Sequence, residues 1–366
     1  MNSLLSNFKL WWKSLDQWIL FSTIILIVIG IFLVLSSSII YGNKLGVNEH
    51  YLIRKHLFFI PFCLFIILFF SIFSKENVVM FSFIAFFLFL LLSVIPNFIS
   101  SEIKGASRWL KFHNLSIQPS EFIKPTFIIV TSTLLTRFQK KHDNSLKINI
   151  ILLFIIGIIL LSQPDFGMFL LISLTWFLQL TLFGISKRIM SALVLLGSVV
   201  LFFAYKTLNH VKFRIDSFFE PSIGDKYQIN NSIDSFTNGG FFGKGIGAAE
   251  ISPRIPDVYS DFILSLAAEE FGLVSVFIIL TLYGLIFFRS IFHVQKQNDL
   301  FFFLSLSGLI IMFITQIMIN IFSTLNLIPT KGMTLPFLSY GGSSLISCSV
   351  LIGFILSFSK KNDEKR

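Results

Sequence analysis

The sequence predicts an all-α, polytopic membrane protein with about ten transmembrane helices and one long extracytoplasmic loop between spans seven and eight. Two observations lead to this fold class: the composition and the spacing of apolar runs. Of the 366 residues, 54% are hydrophobic and 13% are charged, and the mean hydropathy is +0.82. Soluble proteins carry about 25% charged residues, so a soluble fold of this length is excluded.

Ten apolar runs are long enough to cross the hydrocarbon core of a bilayer, which is about 30 Å thick. Their even number places both termini on one side of the membrane. The runs occupy residues 18–37, 57–73, 78–97, 117–136, 148–162, 167–185, 189–205, 262–288, 300–322 and 342–358.

The Lys and Arg residues near the ends of the spans predict the orientation, because cytoplasmic loops carry an excess of them. Fifteen fall on the side of the termini and seven in the short loops of the opposite side. Both termini are therefore expected in the cytoplasm. The predicted organisation is a cytoplasmic tail at 1–17, a transmembrane domain at 18–358 that contains the extracytoplasmic loop 206–257, and a second cytoplasmic tail at 359–366.

The net charge of +10 raises the question of an anionic partner. The basic residues are scattered through short loops rather than forming a stripe, so no nucleic-acid partner is expected. The predicted outer face is nevertheless unusually basic. These basic residues are either ordinary solvated loop residues or hold an anionic ligand, such as a lipid pyrophosphate, at the outer leaflet.

Four stretches interrupt the apolar pattern with polar residues, and the first is GASRWLKFHNLSIQPSEFIK at 105–124. Gln118, Ser120, Glu121 and Lys124 lie in or at the mouth of the fourth span. A charge at bilayer depth costs about 2.5–3.5 kcal/mol on insertion scales, so it usually faces a partner or a polar cavity. Glu121 and Lys124 are three residues apart on one helix face, which is compatible with a buried ion pair as much as with function. Arg108, next to a tryptophan, could equally be an interfacial anchor.

The second stretch is QPDFG at 163–167, between spans five and six. Asp165 follows a proline, and on local grounds a turn or helix-capping role is favoured.

The third stretch, PRIPDVYSDFILSLAAEEFG at 253–272, places three of its four carboxylates at the start of span eight. Asp261 stands at the threshold of the apolar run, and Glu269 and Glu270 lie two turns inside it. On local grounds Ser260 or Asp261 would cap the helix, and the two glutamates would be hydrogen-bond partners between helices.

The fourth stretch is NLIPTKGMTLPFLSYGGSS at 326–344, between the last two spans. Its prolines and glycines, together with Lys331 and several hydroxyls, are compatible with a simple outer loop. Irregular backbone at membrane depth is tolerated only where it is buried in protein or lines a wet cavity. The length and the Gly and Pro density favour a re-entrant wall of a site.

Together these motifs resemble the SEDS family of bacterial cell-wall proteins (shape, elongation, division and sporulation), which contains FtsW and RodA. The resemblance covers residues from about 20 to 358. The PTKG start of the last string is similar to the division branch of the family. Ser260 stands where the family usually has Thr, and AAEISPRI at 248–255 is short and atypical. The matching strings, in order, are GASRW, QPSEFIK, QPDFG, HVKFRIDSFFEP, YQINNSIDSFTNGGFFGKGIG, PDVYSDFILSLAAEEFG and PTKGMTLPFLSYGGSS.

The resemblance implies a peptidoglycan glycosyltransferase that polymerises lipid II at the outer face of the cytoplasmic (inner) membrane, during septal division. Asp261 would be the general base that activates the acceptor hydroxyl. No partner acid is needed, because pyrophosphate leaves as a stabilised anion. The cationic candidates for the pyrophosphate are Arg108, Lys124, Lys331 and Arg214.

The remaining site residues follow from their motif positions. No metal-ligand cluster is recognisable, although a divalent cation could share the charge of the pyrophosphate. Further candidates for substrate binding are Gln118, Ser120, Gln228, Ser232 and Ser339; residues expected to shape the cavity are Glu121, Asp165, Glu269, Glu270, Pro336 and Gly341.

The resemblance also implies partners: lipid II, the growing glycan strand, a class B penicillin-binding protein that acts as the septal transpeptidase, and other division proteins. Three alternatives remain open. A lipid II flippase would use intramembrane charges equally well, a scaffold that recruits a transpeptidase would not need Asp261, and an elongation-type polymerase differs mainly at Lys331.

Overall fold

The computed structural model describes residues 9–45, 48–99, 108–112, 115–220 and 227–360. Residues 105–107 of the GASRW string and the outer parts of the two predicted tails lie outside these ranges. Residues 9–14 are helical. The helices that follow are α1 (Gln17–Leu45), α2 (Tyr51–Ile72), α3 (Lys75–Val94), α4 (Pro96–Ile99), α5 (Pro119–Lys141), α6 (Ser145–Ser162), α7 (Phe166–Phe183), α8 (Lys187–Thr207), α9 (Asn209–Phe219), α10 (Tyr227–Gly239), α11 (Ile263–Val294), α12 (Leu300–Thr324) and α13 (Gly342–Phe358).

All ten predicted spans are helices, which confirms the all-α, polytopic fold class. Within the described residues, eight helices are both long and apolar enough to cross a membrane. The other two predicted spans are α5, whose first turns carry Glu121 and Lys124, and α13, which has only 17 residues. A short hairpin, β1 (Leu110–Phe112) and β2 (Leu115–Ile117), precedes α5.

The most deeply buried helices are α5, α12 and α13. Nearly every residue of α13 is buried, and it packs against α2 and α5. The outer helix α8 differs, because Ala204 is its one buried residue. Burial therefore concentrates the packed core around the helices that carry the first and fourth polar stretches.

The long loop 206–257 contains two amphipathic helices, α9 and α10, followed by irregular chain. The NGGFFGKGIG stretch is irregular from residue 240 onward. There the chain hydrogen-bonds to a break in α11 at Gly272, which has φ of 76°. The Lys244 amide donates to the Glu269 carbonyl at 2.9 Å, and the Leu273 amide donates to the Gly240 carbonyl at 2.9 Å.

The chain between α12 and α13 enters the bundle, as the prediction of a re-entrant wall requires. The Tyr283 hydroxyl of α11 donates to the Pro336 carbonyl at 2.6 Å. The Phe337 carbonyl lies so close to Gly30 that a Cβ there would overlap it. Gly30 is about 20 Å along α1 from the start of that helix, at 1.5 Å per residue. This re-entrant segment, residues 325–341, therefore reaches mid-depth of the spanning bundle.

Candidate active site

Asp261 lies in a turn immediately before α11 and faces the re-entrant segment. Its amide donates to the Asp257 carbonyl at 3.0 Å. A Cβ at Gly332 would overlap its Oδ2, so the carboxylate fits against the one residue type that leaves room. The local expectation that Ser260 or Asp261 caps α11 is wrong: the N-cap residue is Phe262, with no capping side chain.

Two residues of α12, outside the four polar stretches, hold this arrangement together. Asn320 donates from Nδ2 to the Asp261 carbonyl at 2.9 Å and to the Met333 carbonyl at 2.5 Å. One turn earlier, Gln316 donates from Nε2 to the Thr334 carbonyl at 3.0 Å. The sequence contains one signal for them: two amide side chains four residues apart, on one helix face, within the apolar run 300–322.

Glu121 and Lys124 form the buried ion pair that their spacing permits, with Oε2 and Nζ 2.7 Å apart. The Lys124 ammonium also donates to Gln316 Oε1 at 2.7 Å. The Ser347 hydroxyl of α13 donates to the Glu121 carbonyl at 2.6 Å. The first polar stretch is thereby connected to α12, and through Gln316 to the re-entrant segment.

Asp165 caps α7 and is also one partner of an ion pair. Its Oδ1 accepts from the Met168 amide at 3.3 Å, and Arg108 Nη1 lies 3.5 Å from the same oxygen. Gln118 Nε2 donates to its Oδ2 at 3.3 Å and to the Ser120 hydroxyl at 3.2 Å. Arg108 further donates from Nε to the Gln163 carbonyl at 3.1 Å. The first two polar stretches, distant in sequence, thus meet at one place.

Lys331 and Arg214 complete a cluster of charges. The Lys331 side chain crosses Gly167 so closely that a Cβ there would overlap it. Burial lowers the pKa of Lys331 to about 7. The negative charge of Asp165 acts against this decrease, and the positive charges of Arg108, Lys124 and Arg214 add to it. The charge of Arg214, on α9, interacts with those of Arg108, Asp261 and Asp165. Four basic groups and Asp261 therefore surround one region.

Two predicted substrate-binding hydroxyls have contacts within the protein. Ser232 is buried; it lies 2.7 Å from the Ser265 hydroxyl and 2.7 Å from the Thr324 carbonyl. Ser339 accepts from the Leu335 amide at 2.9 Å and donates to the Ser260 carbonyl at 2.5 Å. Gln228 is half-buried on α10. Contact of these three residues with substrate stays a prediction.

The two glutamates of α11 hold the chain that follows α10. Glu269 Oε1 accepts from Asn238 Nδ2 at 2.8 Å and from the Glu250 and Ile251 amides at 2.9 Å each; its Oε2 accepts from the Ser252 amide at 2.6 Å. Glu270 Oε1 accepts from the Ser36 hydroxyl and, at 2.9 Å, from the Gly247 amide. These contacts agree with a structural role.

Gly341 lies where the re-entrant segment turns into α13. A Cβ there would stand 3.3 Å from Thr334 Cγ2. Beside it, the Thr334 and Ser344 hydroxyls are 2.6 Å apart, and the Gln118 amide donates to the Ser343 hydroxyl at 3.0 Å. The start of α13 thus joins the wall to the first polar stretch.

The arrangement suits transfer chemistry on an anionic substrate. A carboxylate at the mouth of a bundle can accept a proton, and nearby fixed cations can stabilise negative charge that develops on a leaving group. Asp261 is the carboxylate at this mouth, and Lys331, Arg108 and Arg214 are the basic groups whose charges act on the same region.

Comparison with known proteins agrees with this chemistry. The protein named "Probable peptidoglycan glycosyltransferase FtsW" of Caulobacter vibrioides is 33% identical over 358 residues, covering 96% of this chain and 91% of that protein. The protein of the same name from Coxiella burnetii is 31% identical over 361 residues, covering 94% and 95%.

Solved structures show the same fold. A chain of a peptidoglycan synthase complex that coordinates polymerisation and crosslinking superposes with a TM-score of 0.75 at 23% identity, covering 94% of this chain and 98% of that one. The rod shape determining protein RodA of Thermus thermophilus gives a TM-score of 0.68 at 23% identity, covering 95% and 97%.

The family model for FtsW, RodA and SpoVE, described as "Cell cycle protein", matches residues 17–364. Because this match spans nearly the whole chain, the protein belongs to the FtsW, RodA and SpoVE family of cell cycle proteins.

Proposed function

We propose that this protein is a peptidoglycan glycosyltransferase that polymerises lipid II into glycan strands, with Asp261 as the general base. The observation that carries the proposal is the placement of Asp261 against Gly332, on the same re-entrant segment that carries Lys331. Relatives named as peptidoglycan glycosyltransferases over nearly the full length support the activity.

The reaction requires one proton acceptor and one stabiliser of anionic charge. The acceptor sugar hydroxyl attacks the anomeric carbon of the donor, and its proton passes to the Asp261 carboxylate. The bond from that carbon to the pyrophosphate oxygen breaks, and the electron pair leaves with the pyrophosphate. Asp261 then returns the proton to solvent.

The leaving pyrophosphate is best stabilised by cations that are fixed before the reaction. Arg108 and Arg214 lie within one electrostatic cluster and fill this role, and Lys331 joins them in its protonated form, which a nearby pyrophosphate favours. Lys124 already pairs with Glu121, which offsets its charge, so we assign it to holding Gln316 rather than to direct contact with the pyrophosphate. Gln118, Ser120, Gln228, Ser232 and Ser339 remain proposed substrate contacts.

The site is assigned to the outer face of the cytoplasmic membrane. Support comes from the Lys and Arg distribution, which favours cytoplasmic termini. Further support comes from loop 206–257, which lies at the same end of the bundle as Asp261. The domain limits, 18–358 for the membrane domain with tails at 1–17 and 359–366, follow from the same orientation. The division septum is the proposed location.

A class B penicillin-binding protein is the proposed partner. Similarity to a chain of a peptidoglycan synthase complex supports such an assembly. Crosslinking needs glycan strands as substrate, so a polymerase and a transpeptidase are chemically consecutive.

The proposal is tested by polymerisation of fluorescent lipid II by the purified protein with its transpeptidase partner. Asp261→Asn keeps the shape of the side chain and removes its basicity, so we expect polymer formation to fall at least about 100-fold. Asp257→Asn, the same exchange four residues earlier, is the matched control and should retain activity. Strand synthesis undiminished in Asp261→Asn would refute the base assignment, and lipid translocation without polymer would favour a flippase.

A further inference from the structure

A polar cavity lies at the end of the bundle opposite Asp261. It has a volume of about 270 Å³ and is bounded by the beginning of α1, the end of α11 and the residue that follows α13. Since α11 starts near Asp261 and ends here, the two sites are on opposite membrane faces. The polymerisation chemistry makes no use of this cavity.

The cavity is organised around Asp16, whose side chain is only 1% exposed. Its Oδ1 accepts from the Trp18 and Ile19 amides at 3.0 and 3.2 Å, which caps α1. Its Oδ2 lies 2.6 Å from Arg289 Nε and 2.6 Å from His293 Nε2. Both carboxylate oxygens are therefore engaged, and Asp16 serves to fix the two nitrogen-bearing side chains.

Arg289 retains donor capacity after this contact. Among the described residues, none accepts a hydrogen bond from its two terminal nitrogens, and its side chain is 38% exposed. A guanidinium presents its N–H groups as a planar fork that matches the oxygens of phosphate. Lys13, exposed on the same cavity wall, adds a second permanent positive charge.

Ser359 provides an independent sign that this cavity suits a ligand with a hydrogen-bond acceptor. The residue is 1% exposed and lines the cavity, and its hydroxyl has no hydrogen-bond partner among the described residues. An unpaired buried hydroxyl is energetically costly, so such groups are normally satisfied. An acceptor oxygen in the cavity would satisfy the terminal nitrogens of Arg289, and rotation of the Ser359 hydroxyl towards the cavity would add a further donor.

We propose that this cavity binds the phosphate group of an anionic phospholipid. A phosphodiester offers acceptor oxygens for Arg289, Lys13 and Ser359 together. The location favours a lipid, because the cavity opens where spanning helices end and is lined by Trp18, 62% exposed, a residue type enriched at membrane interfaces. An anionic headgroup is favoured over a zwitterionic one, because Asp16, the one acidic residue in the lining, has no oxygen left for a headgroup cation.

The test uses the full chain, delipidated in detergent, and follows its melting temperature during titration with short-chain phosphatidylglycerol, short-chain phosphatidylcholine or inorganic phosphate. We expect saturable stabilisation by phosphatidylglycerol alone. Lys13→Gln should weaken its apparent affinity about fivefold, the effect of one basic residue near a charged membrane. Lys147→Gln removes the same charge from an exposed site at the start of α6, on the same face, and should leave the affinity unchanged.

Arg289→Lys and Ser359→Ala extend the test to the buried side of the cavity, and each should weaken phosphatidylglycerol binding while leaving phosphatidylcholine without effect. Equal stabilisation by inorganic phosphate would mean that the cavity takes free phosphate and would overturn the lipid assignment. Equal stabilisation by phosphatidylcholine, or equal affinity of the Lys13→Gln and Lys147→Gln proteins, would overturn the site.

Discussion

Asn320 ties Asp261 to the re-entrant segment, because its Nδ2 donates both to the Asp261 carbonyl at 2.9 Å and to the Met333 carbonyl at 2.5 Å. The first bond fixes the turn that carries the proposed base. The second fixes the backbone next to Gly332, against which the carboxylate rests. A single buried amide therefore determines how the base meets the wall of the site.

Replacing Asn320 by Leu should lower the rate constant of polymerisation more than it raises the apparent KM for lipid II. Among the described residues, its side-chain hydrogen bonds involve no proposed cation. Loss of both bonds lets Asp261 shift, and a displacement of about 1 Å can cost roughly 100-fold in rate. Steady-state kinetics with fluorescent lipid II give the two constants separately.

The matched control is Asn149→Leu. Asn149 is also a buried amide, and it accepts from Trp176 and donates to the Thr131 carbonyl, remote from the site. Both substitutions should lower the melting temperature, but only Asn320→Leu should reduce the rate constant. Equal rate constants in the two variants would show that Asn320 contributes stability alone.

Gly332→Ala tests the contact between the wall and the base directly. Gly332 has no positive φ, so alanine is compatible with its backbone, but the added Cβ would overlap Asp261 Oδ2. We expect the carboxylate to be displaced and the polymerisation rate to fall by about 100-fold. Gly284→Ala adds a methyl group where nothing lies within 4 Å of it, and it should polymerise at the wild-type rate. Full activity of Gly332→Ala would mean that Asp261 does not act from this position.

The spans could be predicted from sequence because each is a long apolar run whose physics is local. The re-entrant segment could also be predicted, since two prolines and several glycines between hydrophobic runs exclude a regular helix. The sequence shows Asn320 as an amide in an apolar run, but it does not show which groups accept its hydrogen bonds. They are carbonyl groups, which every residue carries, and one belongs to a residue 59 positions away.

The break in α11 illustrates the same limit. One glycine within a helix costs about 1 kcal/mol relative to alanine, and this does not predict an interruption. Gly272 adopts φ of 76° because residues 240–245 pair with the backbone there, an interaction between distant segments. Similarly, Ser260 and Asp261 are good capping residues, yet the helix begins after Phe262, since the turn is fixed by Asn320 and Ser339.

The stability of the protein should rise with pH between about 7 and 10.5 because of Lys331. Burial lowers its pKa from 10.5 to about 7. Within that interval the unfolded chain binds the proton and the folded protein does not, so the free energy of unfolding increases with pH. Below pH 7 the charged ammonium is buried in the folded state and the penalty is complete.

Melting temperatures across this range should therefore increase less steeply in Lys331→Met than in the wild type. Lys244→Met, which removes an exposed lysine from the loop after α10, should keep the wild-type slope. Identical slopes in all three proteins would show that Lys331 retains its proton throughout. If melting temperature changed little with pH in the wild type and rose more steeply in Lys331→Met, the pKa of Lys331 would be raised rather than lowered. Burial would then not be the dominant effect on this pKa.

Glu269→Gln should loosen the chain between α10 and α11 without unfolding the bundle. The Glu269 carboxylate accepts four hydrogen bonds, three of them from the consecutive amides of residues 250–252. Glutamine has only one acceptor oxygen, so its NH2 group must point at an N–H donor that the carboxylate now accepts from. Each hydrogen bond lost to a charged acceptor lowers stability by about 1.5–3 kcal/mol. Trypsin should therefore cleave after Lys244 faster, as followed by mass spectrometry.

Glu250→Gln is the appropriate comparison, because it makes the same chemical change on an exposed side chain of the same segment. Its cleavage rate should match that of the wild type. The loosened loop in Glu269→Gln should also reduce polymerisation. Residues 240–245 hold the backbone of α11 at its break, and α11 begins just after Asp261, so a looser loop lets the start of the helix move. Faster cleavage with full activity would show that Glu269 stabilises the loop without affecting polymerisation. Unchanged cleavage would show that the Glu269 carboxylate does not hold the loop.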